Sequence, residues 1–397
     1  MINLLTEKIR NISSEIFDKF VALRREFHKY PELGFKEYRT SAIIKDCLTD
    51  LGIPVIANIA GTGVSGVLEC GKAKKTIAIR ADMDALPIEE MNTSGFVSCN
   101  KGIMHACGHD IHMAVVLGTA EVLSRLRNEI NGNIKFIFQP AEEGLGGAKE
   151  MINEGILEAP KVDGIIATHV SPLLDTGSIS VRPGPAMASP SDFEIVIIGK
   201  SGHAAEPHTA VDPITIASNL VNLFQSIITR EKNPLDTAIL SITYFHAGSS
   251  YNIIPDSAVL RGTVRTFNRE IDSLISKRME EITASLTRVM GAGYKFDYRV
   301  SYPSVVNDEG MVDQLIESAS RVIPKESIVT NPNPVMLAED FSYYAQAVPG
   351  TIFNLGCKSS DTKTIYNLHN SKFDPDENCI KTGIEIMAQY AIDYLQK

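Results

Sequence analysis

The sequence predicts an α/β chain of two domains: a central mixed sheet flanked by helices, interrupted by an inserted βαββαβ unit of ferredoxin-like type. Three observations lead there. At 397 residues the chain is longer than one hydrophobic core usually serves. Helical and strand periodicities alternate through its first half and return near its end, the pattern of a layered α/β domain. Between those stretches the rhythm changes to strand, helix, two strands, helix and strand.

In chain order, the 3.6-residue spacing of apolar positions predicts helices in "FVALRREFHKY" and "RTSAIIKDCLTDLG". β-rich runs then predict strands "SGVLEC" and "TIAIR", a helix following His109, and strands "NIKFIFQ" and "DGIIATHV". The inserted unit reads as strand "FEIVIIG", helix "DPITIASNLVNLFQSIITR", strands "AILSITYF" and "AVLRGTVRTF", helix "IDSLISKRMEEITASLTRVM" and strand "KFDYRV". From about Tyr302 helices return with a short apolar strand, "TIFNLG", which suits the sheet of the first domain. The expected domains are therefore 1–186 and 301–397 together, with 187–300 inserted.

Composition narrows the function. Hydrophobic residues make up 44% and charged residues 22%, as in a globular chain, with neither repeats nor low-complexity tracts. A net charge of −10 argues against nucleic acid or an anionic membrane as partner, since both call for basic patches. The N-terminal stretch lacks the apolar region of a signal peptide and no run approaches a membrane span, so a cytoplasmic location is expected. Six cysteines make no dense disulfide framework, and Cys107 alone stands among other metal-binding residue types.

In open α/β sheets sites form beyond the carboxyl ends of strands, and here polar donors follow nearly every predicted strand. Asp82 and Asp84 follow "TIAIR", Glu142 and Glu143 follow "NIKFIFQ", His169 ends "GIIAT", and His369 comes a loop after "TIFNLG". The stretch "MHACGHDIH" adds Cys107 and His109. Each has a plain alternative: turn residues for the aspartates, a helix N-terminus for the glutamates, a satisfied core histidine for the imidazoles. Their recurrence strand after strand is what favours a metal site. Thiolate, imidazole and carboxylate together suit Zn²⁺ or Mn²⁺, with Co²⁺ and Ni²⁺ also compatible, and more than four donors suggest two ions. A structural zinc site lacks its C-x₂-C pairing, and a cysteine nucleophile fits the tight "CGH" turn poorly. In the "EE" pair, one carboxylate can bind metal while its neighbour takes a proton from a metal-activated water, which is hydrolase chemistry.

The stretches "RREFHKYPELGFKEYRT", "RADMDALPIEE", "MHACGHDIH", "QPAEEGLGGAKEMINEG", "ATHV", "GKSGHAAEPHTAVDPI", "YNIIPDSAVLRGTVRTF", "AEDFSYY" and "LHN" span nearly the whole chain. In this order they resemble the M20 metallopeptidases, and within them the N-acyl-amino-acid amidohydrolases, a branch that includes hippurate hydrolases, aminoacylases and indole-acetyl-amino-acid hydrolases. The resemblance implies a di-metal set of Cys107, His109, Glu143, His169 and His369, with Glu142 as general base. Other branches carry H-x-D where this chain has Asp82-x-Asp84, so one usual ligand is missing there. Cys107 would compensate, Asp84 would orient a ligand from behind, and Asp82 stays open between ligand and support. The resemblance further implies a homodimer or higher oligomer in which His203 of the inserted domain reaches across the interface to stabilise an oxyanion. Asn252 and Arg265 would bind the substrate's carbonyl and carboxylate, with an exposed strand cation as the plain alternative for Arg265. His28, His105, His112, His208 and His246 are left as supporting residues, His105 and His112 being nearest the site in sequence.

The expected activity is hydrolysis of the acyl group, often acetyl, from a small N-acyl amino acid. A dipeptidase or carboxypeptidase of the same mechanism is the near rival, and a non-catalytic protein binding metal or amino-acid conjugates the distant one.

Overall fold

The computed structural model describes residues 2–359 and 365–397. Two compact units divide the chain: Met1–Ala186, Val306–Asn333 and Asp340–Lys397 form the first, Met187–Val305 and Pro334–Glu339 the second.

The first unit is built on an eight-stranded mixed sheet in the order Val55–Ile59, Gly63–Cys70, Gly132–Gln139, Thr76–Asp82, Gly164–Asp175, Gly350–Lys358, Ile179–Val181, Ile328–Thr330. Its centre is parallel. Ile77–Asp82 align with Ile134–Gln139, Ile77–Arg80 with Gly164–Ala167, and Gly350 onward with Ile165 onward. The "TIFNLG" strand thus joins this sheet, as its composition suggested. The strand through "GIIATHV" runs on to Asp175, because Gly356 and Lys358 continue to pair with its far end across a bulge; His169 therefore sits within a strand and not at its end. The short strands Val55–Ile59, Ile179–Val181 and Ile328–Thr330 escape the sequence reading, being too brief for a periodicity of two to show.

Helices Ile2–Lys29, His109–Arg125 and Cys379–Gln396 pack together and close one core with Ile77, Ile79, Ile134, Phe136 and Phe138. His109–Arg125 is buried on nearly every face, as expected of a helix that is apolar all round. Among the described residues no helix is long and apolar enough to cross a membrane.

The second unit has a four-stranded antiparallel sheet in the order Ala238–Ala247, Ser257–Thr266, Ser189–Ile198, Gly293–Val300. Numbered along the chain this is 2-3-1-4, the ferredoxin-like order, with helices Pro213–Ser226 and Arg269–Val289 as the two crossovers. Asp212 and Asn268 start these helices by accepting the Ile214 and Glu270 N–H groups. Phe193, Ile195, Ile197, Leu260, Phe224 and Ile275 form its separate core.

One charged side chain lies deep inside the first unit. Arg80, 1% exposed, donates to Gln139 Oε1 at 2.9 Å, Asp82 Oδ2 at 2.7 Å and Asp340 Oδ1 at 3.0 Å. Removing the cation would leave two buried carboxylates without their shared counter-charge, so Arg80→Met is expected to cost about 3–5 kcal/mol of stability. Lys8, half exposed in its pair with Glu129, is expected to cost at most about 1 kcal/mol when replaced by Met. Denaturant midpoints of the two variants test the contrast; equal midpoints would show that the buried carboxylates do not depend on Arg80.

Candidate metal centre

The parallel strands Thr76–Asp82, Gly132–Gln139 and Gly164–Asp175 deliver their carboxyl ends to one edge of the sheet. Asp84 follows the first. Glu142 and Glu143 follow the second, in a turn before helix Gly147–Asn153 and not at a helix N-terminus. His169 lies on the third, and helix His109–Arg125 begins at the same edge. Its start is set by Gly108, whose φ of 84° favours glycine and whose position leaves no room for a Cβ, which would stand 2.4 Å from Val170 Cγ2. That glycine lets Cys107 and His109 turn toward the same space. His369 arrives on a loop at a φ of 63°, a strained value for histidine, held by its N–H to the Ala106 carbonyl at 2.8 Å.

Cys107 is the hub. Its Sγ lies 3.4 Å from His169 Nε2 and 3.3 Å from His369 Nε2. Within 4.8 Å of one another lie the donor atoms of Cys107, His109 and His169; of Cys107, Glu143 and His369; and of His109, Glu142 and Glu143. Ring tautomers follow from the outer hydrogen bonds. His109 Nδ1 donates to the Asp84 carbonyl at 2.8 Å and His169 Nδ1 to the Val170 carbonyl at 2.9 Å, which leaves both Nε2 lone pairs for a ligand. His109 Nε2 is buried without a hydrogen-bond partner, and the buried Glu143 Oε1 lies 3.3 Å from His369 Nε2. An orphaned nitrogen donor beside a thiol and a carboxylate fits a divalent metal, and leaving it bare would be costly.

Behind these donors stands a second layer. Asp84 Oδ2 accepts the Glu143 N–H at 3.0 Å, while its Oδ1 lies 3.3 Å from His109 Nδ1. Asp82 lies behind His109, its Oδ1 3.8 Å from His109 Nδ1, and both its oxygens are engaged: Oδ1 accepts from His112 Nδ1 at 2.6 Å and Oδ2 from Arg80. His112 in turn accepts the Val170 N–H on Nε2 at 2.9 Å, so both its ring nitrogens are committed. His105 packs beside His28, ring centroids 6.5 Å apart.

The electrostatics are those of a crowded anionic site. Burial works against a charge on His109, yet the carboxylates of Asp82, Asp84 and Glu143 raise its pKa to about 10. Burial, with His112 beside it, lowers His169 to about 3. Burial and the neighbouring Glu143 and Glu142 push the Cys107 thiol well above its ordinary value. Glu143 holds His369 above the usual histidine range through their hydrogen bond.

The three residues of the second unit fall in two places: His203 and Asn252 at a separate two-stranded ladder, and Arg265 on the four-stranded sheet. His203 pairs with Ile253 in a short ladder, and the Ala204 N–H donates to the Asn252 carbonyl at 3.0 Å, so His203 and Asn252 are neighbours. Arg265 stands eight residues beyond Ser257 along the strand Ser257–Thr266, roughly 26 Å at the rise of a strand. It donates to Thr263 Oγ1 and the Val264 carbonyl.

Sequence reading overlooked Arg80 and Asp340 as parts of this edge. Asp340 accepts from Arg80, from Gln139 Nε2 at 2.8 Å and from the Ala148 N–H at 3.0 Å, and its own N–H meets Glu142 Oε1 at 3.4 Å. The signal for Arg80 was available: a cation in an otherwise apolar five-residue strand core needs a buried partner.

A model of peptidase family M20/M25/M40 matches residues 78–393. The chain is 40% identical to Thermostable carboxypeptidase 1 of Saccharolobus solfataricus over 99% of this chain and 100% of that one. It is 42% identical to N-acyl-L-amino acid amidohydrolase of Geobacillus stearothermophilus over 77% of this chain and 82% of the relative. Among solved structures, the Bacillus subtilis YXEP protein, described as a dinuclear metal binding peptidase from the M20 family, superposes with a TM-score of 0.84 at 34% identity, covering 96% of this chain and 99% of that one.

A thiol held protonated by burial must lose its proton to ligate a cation. Titrating metal-free protein with Zn²⁺ at neutral pH is therefore expected to release protons, seen as a dependence of the calorimetric heat on the buffer's ionisation enthalpy. Cys107→Ala is expected to reduce that release and lower the number of ions bound, while Cys47→Ala leaves both unchanged. Identical titrations for the two variants would remove Cys107 from the metal site.

Proposed function

We propose that this chain, which belongs to peptidase family M20/M25/M40 and is a metal-dependent amide-bond hydrolase, removes the acyl group from small N-acyl amino acids. The observation that carries the reading is the convergence of Cys107, His109, His169, His369 and Glu143 with the carboxylate of Glu142 beside them.

In this reading Cys107, His109, His169, Glu143 and His369 would hold two divalent ions. Zn²⁺ and Mn²⁺ suit the set, and Co²⁺ or Ni²⁺ would also fit. Bound there, such ions supply Lewis acidity and lower the pKa of a water. Glu142 would accept the proton of the attacking water and return it to the departing amine. Asp84 keeps His109 and the Glu143 backbone in place. His203 accepts the Ala205 N–H on Nδ1 at 3.1 Å, which turns an Nε2–H outward as a donor suited to an oxyanion. Asn252, its side-chain oxygen occupied by Ser250 at 2.8 Å, offers its amide N–H to a substrate carbonyl. The guanidinium fork of Arg265 suits a substrate carboxylate.

A small substrate is too short to span the roughly 26 Å of strand that runs from Ser257, five residues after Asn252, to Arg265, which supports a homodimer in which each site draws on both copies. Mixing the inactive variants Glu142→Ala and His203→Ala in equal amounts is then expected to restore about one quarter of wild-type activity, because half the dimers are mixed and each carries one intact site. Exchanged subunits without activity, or a monomer in solution, would overturn the shared site.

Identity of 40% to a protein named as a carboxypeptidase favours a second reading, in which the acyl group is an aminoacyl or peptidyl one. Turnover of N-acetyl amino acids, N-benzoylglycine and dipeptides with added Zn²⁺, Mn²⁺ or Co²⁺ separates the two. Hydrolysis confined to dipeptides would replace the first reading by the second. On whichever substrate is best, Glu142→Gln is expected to lower kcat by ~10²-fold or more with metal content unchanged. Near-normal turnover would remove Glu142 as the base.

A further inference from the structure

The stretch "PELGFKEYRT" has no part in the chemistry described so far, yet it touches the backbone that presents both glutamates. Ala141, immediately before Glu142, has a φ of 54°, a conformation an alanine adopts only under constraint. Its N–H donates to Glu37 Oε1 at 2.9 Å. The other oxygen of Glu37 accepts from Thr62 Oγ1 at 2.6 Å, and the whole carboxylate is buried, with Glu37 at 0% exposure and Thr62 at 2%. On the far side the Ala141 carbonyl accepts the Gly147 N–H at 3.0 Å. Gly34, three residues before Glu37, leaves the space that Ala141 fills: a Cβ on Gly34 would stand 3.0 Å from Ala141 Cβ and 3.2 Å from Leu145 Cδ1.

We propose that Glu37 is a positioning residue for the metal centre: by holding the Ala141 N–H it keeps the strained turn from relaxing and so fixes the direction in which Glu142 and Glu143 leave the backbone. The physical need is specific. An alanine freed from its hydrogen bond returns to negative φ, and rotation about that one bond swings the next two residues together. Glycine at the same position would meet no such penalty. Glu37 therefore matters only as long as residue 141 carries a side chain. This rests on the reading that Glu143 holds metal and Glu142 takes the proton.

The test uses Co²⁺ binding to the full chain, followed by calorimetry and by the visible absorption of cobalt, alongside kcat and KM. Glu37→Ala is expected to weaken Co²⁺ binding by about 10–100-fold, the usual loss when support behind a ligand is removed, and to lower kcat more than it raises KM. Glu37→Gln can still accept the Ala141 N–H and donate to Thr62, so it is expected to restore most of the binding. In an Ala141→Gly background the Glu37→Ala loss is expected to shrink to within about threefold of the background alone, which a general loss of stability would not produce. If Glu37→Ala does not fold, Gly34→Ala presses on Ala141 from the other side and is expected to weaken Co²⁺ binding in the same way. Equal Glu37→Ala losses with and without the Ala141→Gly substitution, or a Glu37→Gln variant as impaired as Glu37→Ala, would overturn the proposal. So would unchanged binding in Glu37→Ala, or, where that variant does not fold, in Gly34→Ala. Failure of the wild-type chain itself to bind Co²⁺ would instead overturn the metal reading on which it rests.

Discussion

Everything at the functional edge of the first unit follows from the need to keep buried carboxylates in partnership. Asp82, Asp84, Glu142 and Asp340 are each at most 6% exposed and Glu143 stands beside them. An ionised carboxylate without a partner in such surroundings costs several kcal/mol or more, so each needs a donor, a cation or a proton. Arg80 serves Asp82 and Asp340, His112 serves Asp82, and backbone N–H groups serve Asp84, Asp340 and Glu142. What these partners do not cover is Glu143 Oε1, together with the lone pair of His109 Nε2 and the thiol of Cys107. The remainder has the donor chemistry of a divalent cation site, and the raised pKa of His109 shows the same surplus of negative charge from the other side.

That division of labour explains why the outer residues are as restricted as the donors themselves. A donor atom must be aimed, and aiming is done by groups that have no chemistry of their own. Asp84 aims through a carbonyl and a carboxylate oxygen, and His112 ties the strand at Val170 to Asp82. Backbone strain is concentrated on the same loops, at Ala141 and His369, where about 1–3 kcal/mol each is stored by conformations that only surrounding contacts can maintain. The second unit differs: His203, on a short ladder, and Asn252, beside it, are both exposed.

Much of this was legible along the chain. Runs such as "TIFNLG" and "FEIVIIG" carry their strand character in composition, and the change from alternating α and β signals to a βαββαβ rhythm marks the second unit, whose 2-3-1-4 sheet order is the one that motif leads to. The candidate donors stand out along the chain too, because cysteine, histidine and paired glutamates so grouped are scarce and chemically specific. The strands Ile179–Val181 and Ile328–Thr330 were not, since three residues carry no periodicity, and neither was the extension of the Gly164–Asp175 strand past His169, which depends on a partner nearly two hundred residues away.

The sequence by itself therefore determined which atoms are available for chemistry: one thiol, three imidazoles and a pair of adjacent carboxylates, placed after strands whose direction is a local property. Tertiary structure alone decided how each is used. It turned Asp82 toward Arg80 and His112, left His109 Nε2 free by giving Nδ1 to a carbonyl twenty-five residues away, and set Arg265 far along the strand Ser257–Thr266 while Asn252 stands beside a separate ladder. The reason is physical. Residue type fixes what a side chain can donate or accept, whereas the partner that exhausts or spares that capacity comes from distant parts of the chain and is brought there only by the folded sheet.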